Sequence, residues 1–113
     1  MIKIPESVAI YFNAVNDNDP ETFLAAFDEH AFVVDMKRKF VGKNAISSWS
    51  KSEIFEPKVQ FAIIDAREQD DNFIVTVSID GEFDKTNLPD PLLMNHRFMH
   101  ANGKIKEMYI SFT

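Results

Sequence analysis

Three side chains combine a reactive group with a demanding setting: Asp35, Tyr11 and His96. Asp35 follows Phe32-Val33-Val34 in a β-rich run. A carboxylate is costly there unless water, a partner or chemistry accounts for it. Facing a pocket, it would be suited to take up and return a proton. On an edge strand, it would pair with Lys37 or Lys39; both readings stand. Tyr11 lies beside Phe12 on one face of a helix, as a core tyrosine or as a hydrogen-bond donor into a cavity. His96 shares the inward face of a strand with Phe98 by alternation, whereas Asn95 does not. His100 lies on that same side, but four strand positions span about 13 Å, too far for both imidazoles to ligate one metal. His30 is expected at a helix end, where its charge would meet the dipole. No metal site is expected.

The elements that must position these groups follow from periodicity and punctuation. Ile4-Pro5-Glu6-Ser7 opens a helix whose Val8, Tyr11, Phe12 and Val15 recur at helical spacing, and Asn16-Asp17-Asn18 ends it. Asp19-Pro20-Glu21 starts a short second helix that buries Phe23, Leu24 and Phe27. From Ala31 the pattern turns to strand, with Lys37-Arg38-Lys39 returning the chain through Phe40-Val41. Lys43 to Lys51 reads as a third helix with Ala45, Ile46 and Trp49 on one face. After Pro57, Val59, Phe61 and Ile63 alternate; Asp70-Asp71-Asn72 marks a turn. Phe73, Val75, Val77, Ile79 and Phe83 then give the cleanest period-2 run in the chain. Asn87 to Pro91 is a loop, Met94 to His100 a strand, Asn102-Gly103 a hairpin turn and Ile105 to Phe112 the last strand. Segregated helices and hairpin-linked strands predict an α+β fold in one domain, residues 1–113.

Composition narrows the function classes. A chain of 113 residues with 45% hydrophobic residues can bury roughly two-thirds of its unfolded surface, so disorder is not expected. A net charge of −6 disfavours nucleic acid and anionic membrane surfaces as partners. Lys37, Arg38, Lys39 and Lys43 read as a solvated hairpin. The absence of cysteine excludes disulfides, thiolate metal sites and cysteine nucleophiles. The segment Met1 to Glu6 lacks the apolar stretch of a signal peptide, and no apolar run approaches the ~20 residues of a membrane span. A cytoplasmic protein is expected. With no Gly-rich phosphate loop, no Gly-x-Ser-x-Gly elbow and no dinucleotide fingerprint, no cofactor is expected.

The element order resembles the NTF2-like superfamily, in particular its SnoaL-like and ketosteroid-isomerase-like members. Phe27-Asp28-Glu29-His30-Ala31 leading into Phe32-Val33-Val34-Asp35 is similar to the family's passage into its first strand. Gly42-Lys43-Asn44-Ala45-Ile46-Ser47-Ser48-Trp49 resembles its Gly-x-x-Ala-Ile-x-x-Trp opening of the third helix. Asn102-Gly103-Lys104-Ile105 resembles its final hairpin. The resemblance implies a cystatin-like cone, in which three N-terminal helices pack against a strongly curved antiparallel sheet around a hydrophobic pocket.

It also implies roles. In ketosteroid isomerases a tyrosine on the first helix donates to a developing oxyanion and an aspartate ending the first strand moves the proton. Tyr11 and Asp35 match the 24-position separation of that pair. The isomerases' second, protonated acid has no counterpart: Met94, Asn95 or His96 stands near its place, and His96 is the one expected inward. With such a pocket, Phe12, Phe27, Trp49, Phe55, Val77 and Phe98 are candidates for its ligand-binding wall, although core fillers share the same signature. Two expectations follow. One is a cofactor-independent isomerase, cyclase or dehydratase moving a proton alpha to a carbonyl on a small hydrophobic molecule. The other is a non-catalytic ligand-binding or dimerisation module, with a homodimer through the sheet face carrying Arg97 and Met99.

Overall fold

A computed structural model describes residues 3–113; Met1 and Ile2, part of the segment read against a signal peptide, lie outside the described residues. The chain runs α1 (Glu6–Asn16), α2 (Pro20–Ala25), β1 (Phe27–Asp35), β2 (Arg38–Val41), α3 (Lys43–Ser50), a π-helical turn (Lys51–Phe55), β3 (Gln60–Gln69), β4 (Asn72–Asp80), β5 (Leu93–Ala101) and β6 (Lys104–Phe112). The strands form one six-stranded sheet in the order β2-β1-β6-β5-β4-β3. The fold is α+β, with the helices packed on the sheet. Pairing is antiparallel except between β1 and β6, which run parallel.

Helical spacing along α1 turns Val8, Tyr11, Phe12 and Val15 inward, and all four are buried. The Asp19 carboxylate accepts the Thr22 N–H at 3.2 Å, supplying one of the partners that a helix N-terminus lacks. At the other end of α1, the Asn16 side chain donates to the Phe61 carbonyl at 2.9 Å and accepts the Phe61 N–H at 2.8 Å. This amide clamp ties α1 to β3, one of the two edge strands, at the level where Phe61 points into the core.

Five local expectations are corrected. The second helix ends at Ala25, so Phe27 opens β1 instead of closing α2, and Ile105 N–H donates to the Ala26 carbonyl at 2.9 Å. His30 therefore lies exposed in β1 and meets no helix end. The third helix passes at Lys51 into a wider π-helical turn that buries Ile54 and Phe55. A bulge between Ile63 and Asp65 breaks the alternation of β3, leaving Ile63 and Ile64 exposed. β4 stops at Asp80, and Phe83 folds back half-buried instead of extending the strand.

Turn chemistry fixes the registers. Asp70 and Asp71 have φ of 50° and 66°, and Asn102 and Gly103 have φ of 55° and 75°, the paired positive values of tight hairpin turns. The second turn sets Phe98 opposite Met108 and His96 opposite Ile110. Across the other edge of β5, Phe98 faces Phe73 and His96 faces Val75. These pairs align one inward row. No helix among the described residues is long and apolar enough to cross a membrane.

Candidate functional site

Helices and sheet enclose a cavity of about 620 Å³. Tyr11, Phe61, His96 and Ile110 bring buried side chains to its wall, and Asp35 and Trp49 stand together on one side. The exposed side chains of Ser52, Glu53, Glu56 and Glu82 mark its mouth. Tyr11, Asp35 and His96 come from α1, the end of β1 and the middle of β5, so the fold gathers the three reactive groups that the sequence singles out.

Asp35 has defined partners. Its Oδ2 accepts hydrogen bonds from Arg38 Nη2 at 2.7 Å and from Trp49 Nε1 at 3.0 Å. The same Arg38 nitrogen donates to Glu53 Oε1 at 2.9 Å, linking β2 to the π-helical turn. The cation beside Asp35 is thus Arg38, not Lys37 or Lys39. Both donors meet Oδ2, and Oδ1 has no protein donor among the described residues.

Tyr11 is fully buried within a ring of aromatic side chains, its centroid 4.9 Å from Phe12, 5.0 Å from Phe23 and 5.9 Å from His96. Neither the Tyr11 hydroxyl nor His96 Nδ1 has a hydrogen-bond partner among the described residues. Burial pushes the Tyr11 phenol well above its ordinary range, and the Asp35 carboxylate adds to the effect, so the phenol keeps its proton. Burial pushes His96 down to about 3, so its imidazole is neutral near pH 7. A buried polar atom without a partner is costly, and the phenol and the neutral imidazole leave two such atoms in residues that line the cavity, neither carrying charge.

The aromatic wall differs from the sequence expectation. Trp49 lines the cavity, whereas Phe12, Phe27, Phe55, Val77 and Phe98 are buried in the core away from its lining. Phe12 and Phe98 instead back His96, with centroids 5.6 and 6.2 Å from its ring. The wall is completed by residues not singled out, including Ile54, Val59, Ile79, Phe83, Leu92 and Met94. Val59 and Ile79 carry a signal, since they alternate in phase with Phe61 and Val77, whereas Phe83 lies beyond the end of β4. The mouth carboxylates carried none, because exposed acids look like ordinary surface. Asn95 accepts a hydrogen bond from Thr76 Oγ1 at 2.6 Å and does not line the cavity, while Met94 and His96 do. His100 is exposed. Among the described residues, no three His, Asp or Glu side chains gather closely enough to hold a metal ion.

No family model matches the sequence, and no curated protein matches it. Solved structures do. A candidate polyketide cyclase from Sinorhizobium meliloti superposes with a TM-score of 0.84 at 22% identity, covering 96% of this chain and 95% of that one. A protein with a ketosteroid isomerase-like fold from Catenulispora acidiphila, in complex with trimethylamine, gives 0.78 at 18% identity over 98% and 88% of the two chains. An NTF2-like protein of unknown function from Cytophaga hutchinsonii gives 0.77 at 11% identity over 100% and 92%. At these identities the likeness speaks for the fold alone.

Proposed function

With the NTF2-like fold as its premise, we propose that the cavity takes a small, largely hydrophobic carbonyl compound and that Asp35 moves a proton alpha to the carbonyl without a cofactor. The observation that carries this reading is the convergence of the Asp35 carboxylate with two unpartnered neutral groups, the Tyr11 hydroxyl and the His96 imidazole, on one cavity wall. Asp35 Oδ1 would take the proton from the alpha carbon, and the electron pair of the broken C–H bond would shift onto the carbonyl oxygen. The Tyr11 hydroxyl and the neutral His96 imidazole would donate to that oxygen as its charge grows, an arrangement in which preorganised donors stabilise an enolate. Return of the proton at another carbon gives isomerisation. Attack of the enolate carbon on a second carbonyl gives cyclisation, and loss of a β-hydroxyl as water gives dehydration.

The test is deuterium exchange from heavy water into a panel of ketones, followed by proton NMR. The reading expects exchange at the alpha carbon with the wild type and its loss in Asp35→Asn. Exchange that survives the substitution unchanged rejects Asp35 as the base.

A second reading, a dimerisation module, has its own support on the outer face of the sheet. Arg97 lies over the Tyr109 ring at 4.6 Å, Tyr109 meets Phe32 edge-on at 5.8 Å, and Met99 is 38% exposed beside them on β5. This half-apolar face suits self-association. Sedimentation showing only monomer at micromolar concentration counts against it. A dimer would be compatible with catalysis.

A further inference from the structure

Charge is distributed unevenly over the cavity wall. Tyr11 and His96 bring neutral groups to the wall. The wall also carries Asp35, which acts on Tyr11, and at the mouth Glu53, Glu56 and Glu82, and no lysine or arginine lines it among the described residues. Three cations stand just outside, one of them, Lys85, lying 5.5 Å over the Phe83 ring and 2.7 Å from Asp80. Arg38 holds both Asp35 and Glu53, at 2.7 and 2.9 Å, and Lys58 lies 3.6 Å from Glu82. Glu56 has no ion-pair partner among the described residues. The four lining carboxylates and Asp80 against these three cations leave a negative surplus at the opening of a chain whose net charge is already −6. Low-dielectric walls focus such a field, which repels anions and concentrates cations.

The cation that fits is organic. The carboxylates are too dispersed to close around a metal ion. Tyr11, Trp49, Phe61 and Phe83 bring aromatic rings to the same wall, and an ammonium group that reaches a ring face gains from its quadrupole. The unpartnered Tyr11 hydroxyl and His96 Nδ1 ask for something different, a neutral oxygen at the other end of the ligand.

We propose that the pocket selects an amphipathic amine, with its protonated nitrogen among the mouth carboxylates, its apolar body on the aromatic wall and a carbonyl or hydroxyl oxygen toward Tyr11 and His96. This rests on the reading of the cavity as a ligand site and narrows the substrate class to amino-substituted apolar compounds.

The experiment uses three probes of one shape: phenylbutylamine, phenylbutanol and phenylbutyrate. Trp49 is the only tryptophan in the chain and lines the cavity, so its fluorescence reports occupancy, with calorimetry as a second readout. The amine is expected to bind at least about tenfold more tightly than the alcohol, with phenylbutyrate weakest; raising the salt to about 0.5 M should shrink that advantage to about threefold or less. The exposed double variant Glu56→Gln, Glu82→Gln should weaken the amine about three- to tenfold and leave the alcohol unchanged. If the alcohol equals the amine, or the carboxylate binds best, the charge selection is wrong while the ligand site stands. If none of the three binds by either readout, the ligand site falls as well.

Discussion

Trp49 Nε1 donates a hydrogen bond to Asp35 Oδ2 at 3.0 Å, joining α3 to the end of β1 across the cavity wall. Arg38 Nη2 meets the same oxygen at 2.7 Å, so the carboxylate is fixed through one oxygen while the other stays without a protein donor. A group fixed in this way loses little freedom when it acts, which is what a positioned base requires.

The first prediction concerns that fixation. An unpartnered pocket carboxylate would be relieved by conversion to an amide, and Asp35→Asn would then be neutral or stabilising. Asp35 is instead partnered, with its side chain 15% exposed and Arg38 53% exposed. Asparagine keeps an oxygen for Trp49 but loses the charge that Arg38 meets. Urea unfolding at pH 7 should show a loss of about 1 kcal/mol, modest because Arg38 is half in water and retains Glu53. A gain of stability would show that the Arg38 and Trp49 contacts contribute nothing.

Tyr11 should behave in the opposite sense. Its hydroxyl is buried and unpartnered, so Tyr11→Phe removes a donor whose desolvation nothing offsets. Stability is expected to stay level or rise by up to about 1 kcal/mol. If the hydroxyl serves the enolate, ketone exchange should fall about 10²-fold in the same variant. A loss of stability of about 2 kcal/mol would mean that the hydroxyl has a structural partner, such as buried water.

Much of this site could be read from the chain, and the reasons are local. Tyr11 falls in phase with Val8 and Val15, and His96 with Phe98, so periodicity alone sends both inward. Asp35 was conspicuous because it follows three apolar residues. What could not be read depends on contacts distant in sequence. Phe83 reaches the cavity because the chain folds back after Gly81, which spacing along β4 does not signal. Ile63 and Ile64 reach the surface through a bulge that no alternation pattern signals. Phe27 belongs to β1 because β6 captures its backbone neighbourhood: Ile105, some eighty residues away, donates to Ala26. The partner of Asp35 depended on a turn at Met36, whose φ of 62° brings Arg38 rather than Lys37 back over the strand end.

His96 predicts a pH dependence. Burial lowers its folded-state value to about 3, below the ~6.5 of an unfolded chain. Between those values the unfolded chain binds a proton that the folded chain refuses. This contribution to stability is therefore complete above about pH 6.5 and is lost as the pH falls toward 3, at about 1.4 kcal/mol per pH unit. Asp28, held low by its Lys106 hydrogen bond, and Asp80, held low by Lys85, also lose stability on acidification, but nearer the carboxylate range and equally in a variant. The difference in unfolding free energy between wild type and His96→Gln should thus slope between about pH 4.5 and 6.5. A flat difference would mean that His96 takes a proton in the folded state.

The cavity mouth rests on a close approach at Gly81. A Cβ there would stand 3.0 Å from the Pro57 carbonyl oxygen and 3.1 Å from the Phe83 ring, and both residues line the cavity. The Pro57 carbonyl also accepts the Glu82 N–H, so the backbone oxygen has little room to yield and the Phe83 ring must move. Gly81→Ala should lower stability by about 1 kcal/mol and change phenylbutanol affinity severalfold. Gly103→Ala is the matched control: its Cβ meets nothing within 4 Å, but its φ of +75° strains any side chain. It should lower stability by about 1 kcal/mol and leave binding unchanged. If the two substitutions alter binding alike, the mouth is not held by the Gly81 contact, and Phe83 does not set its shape.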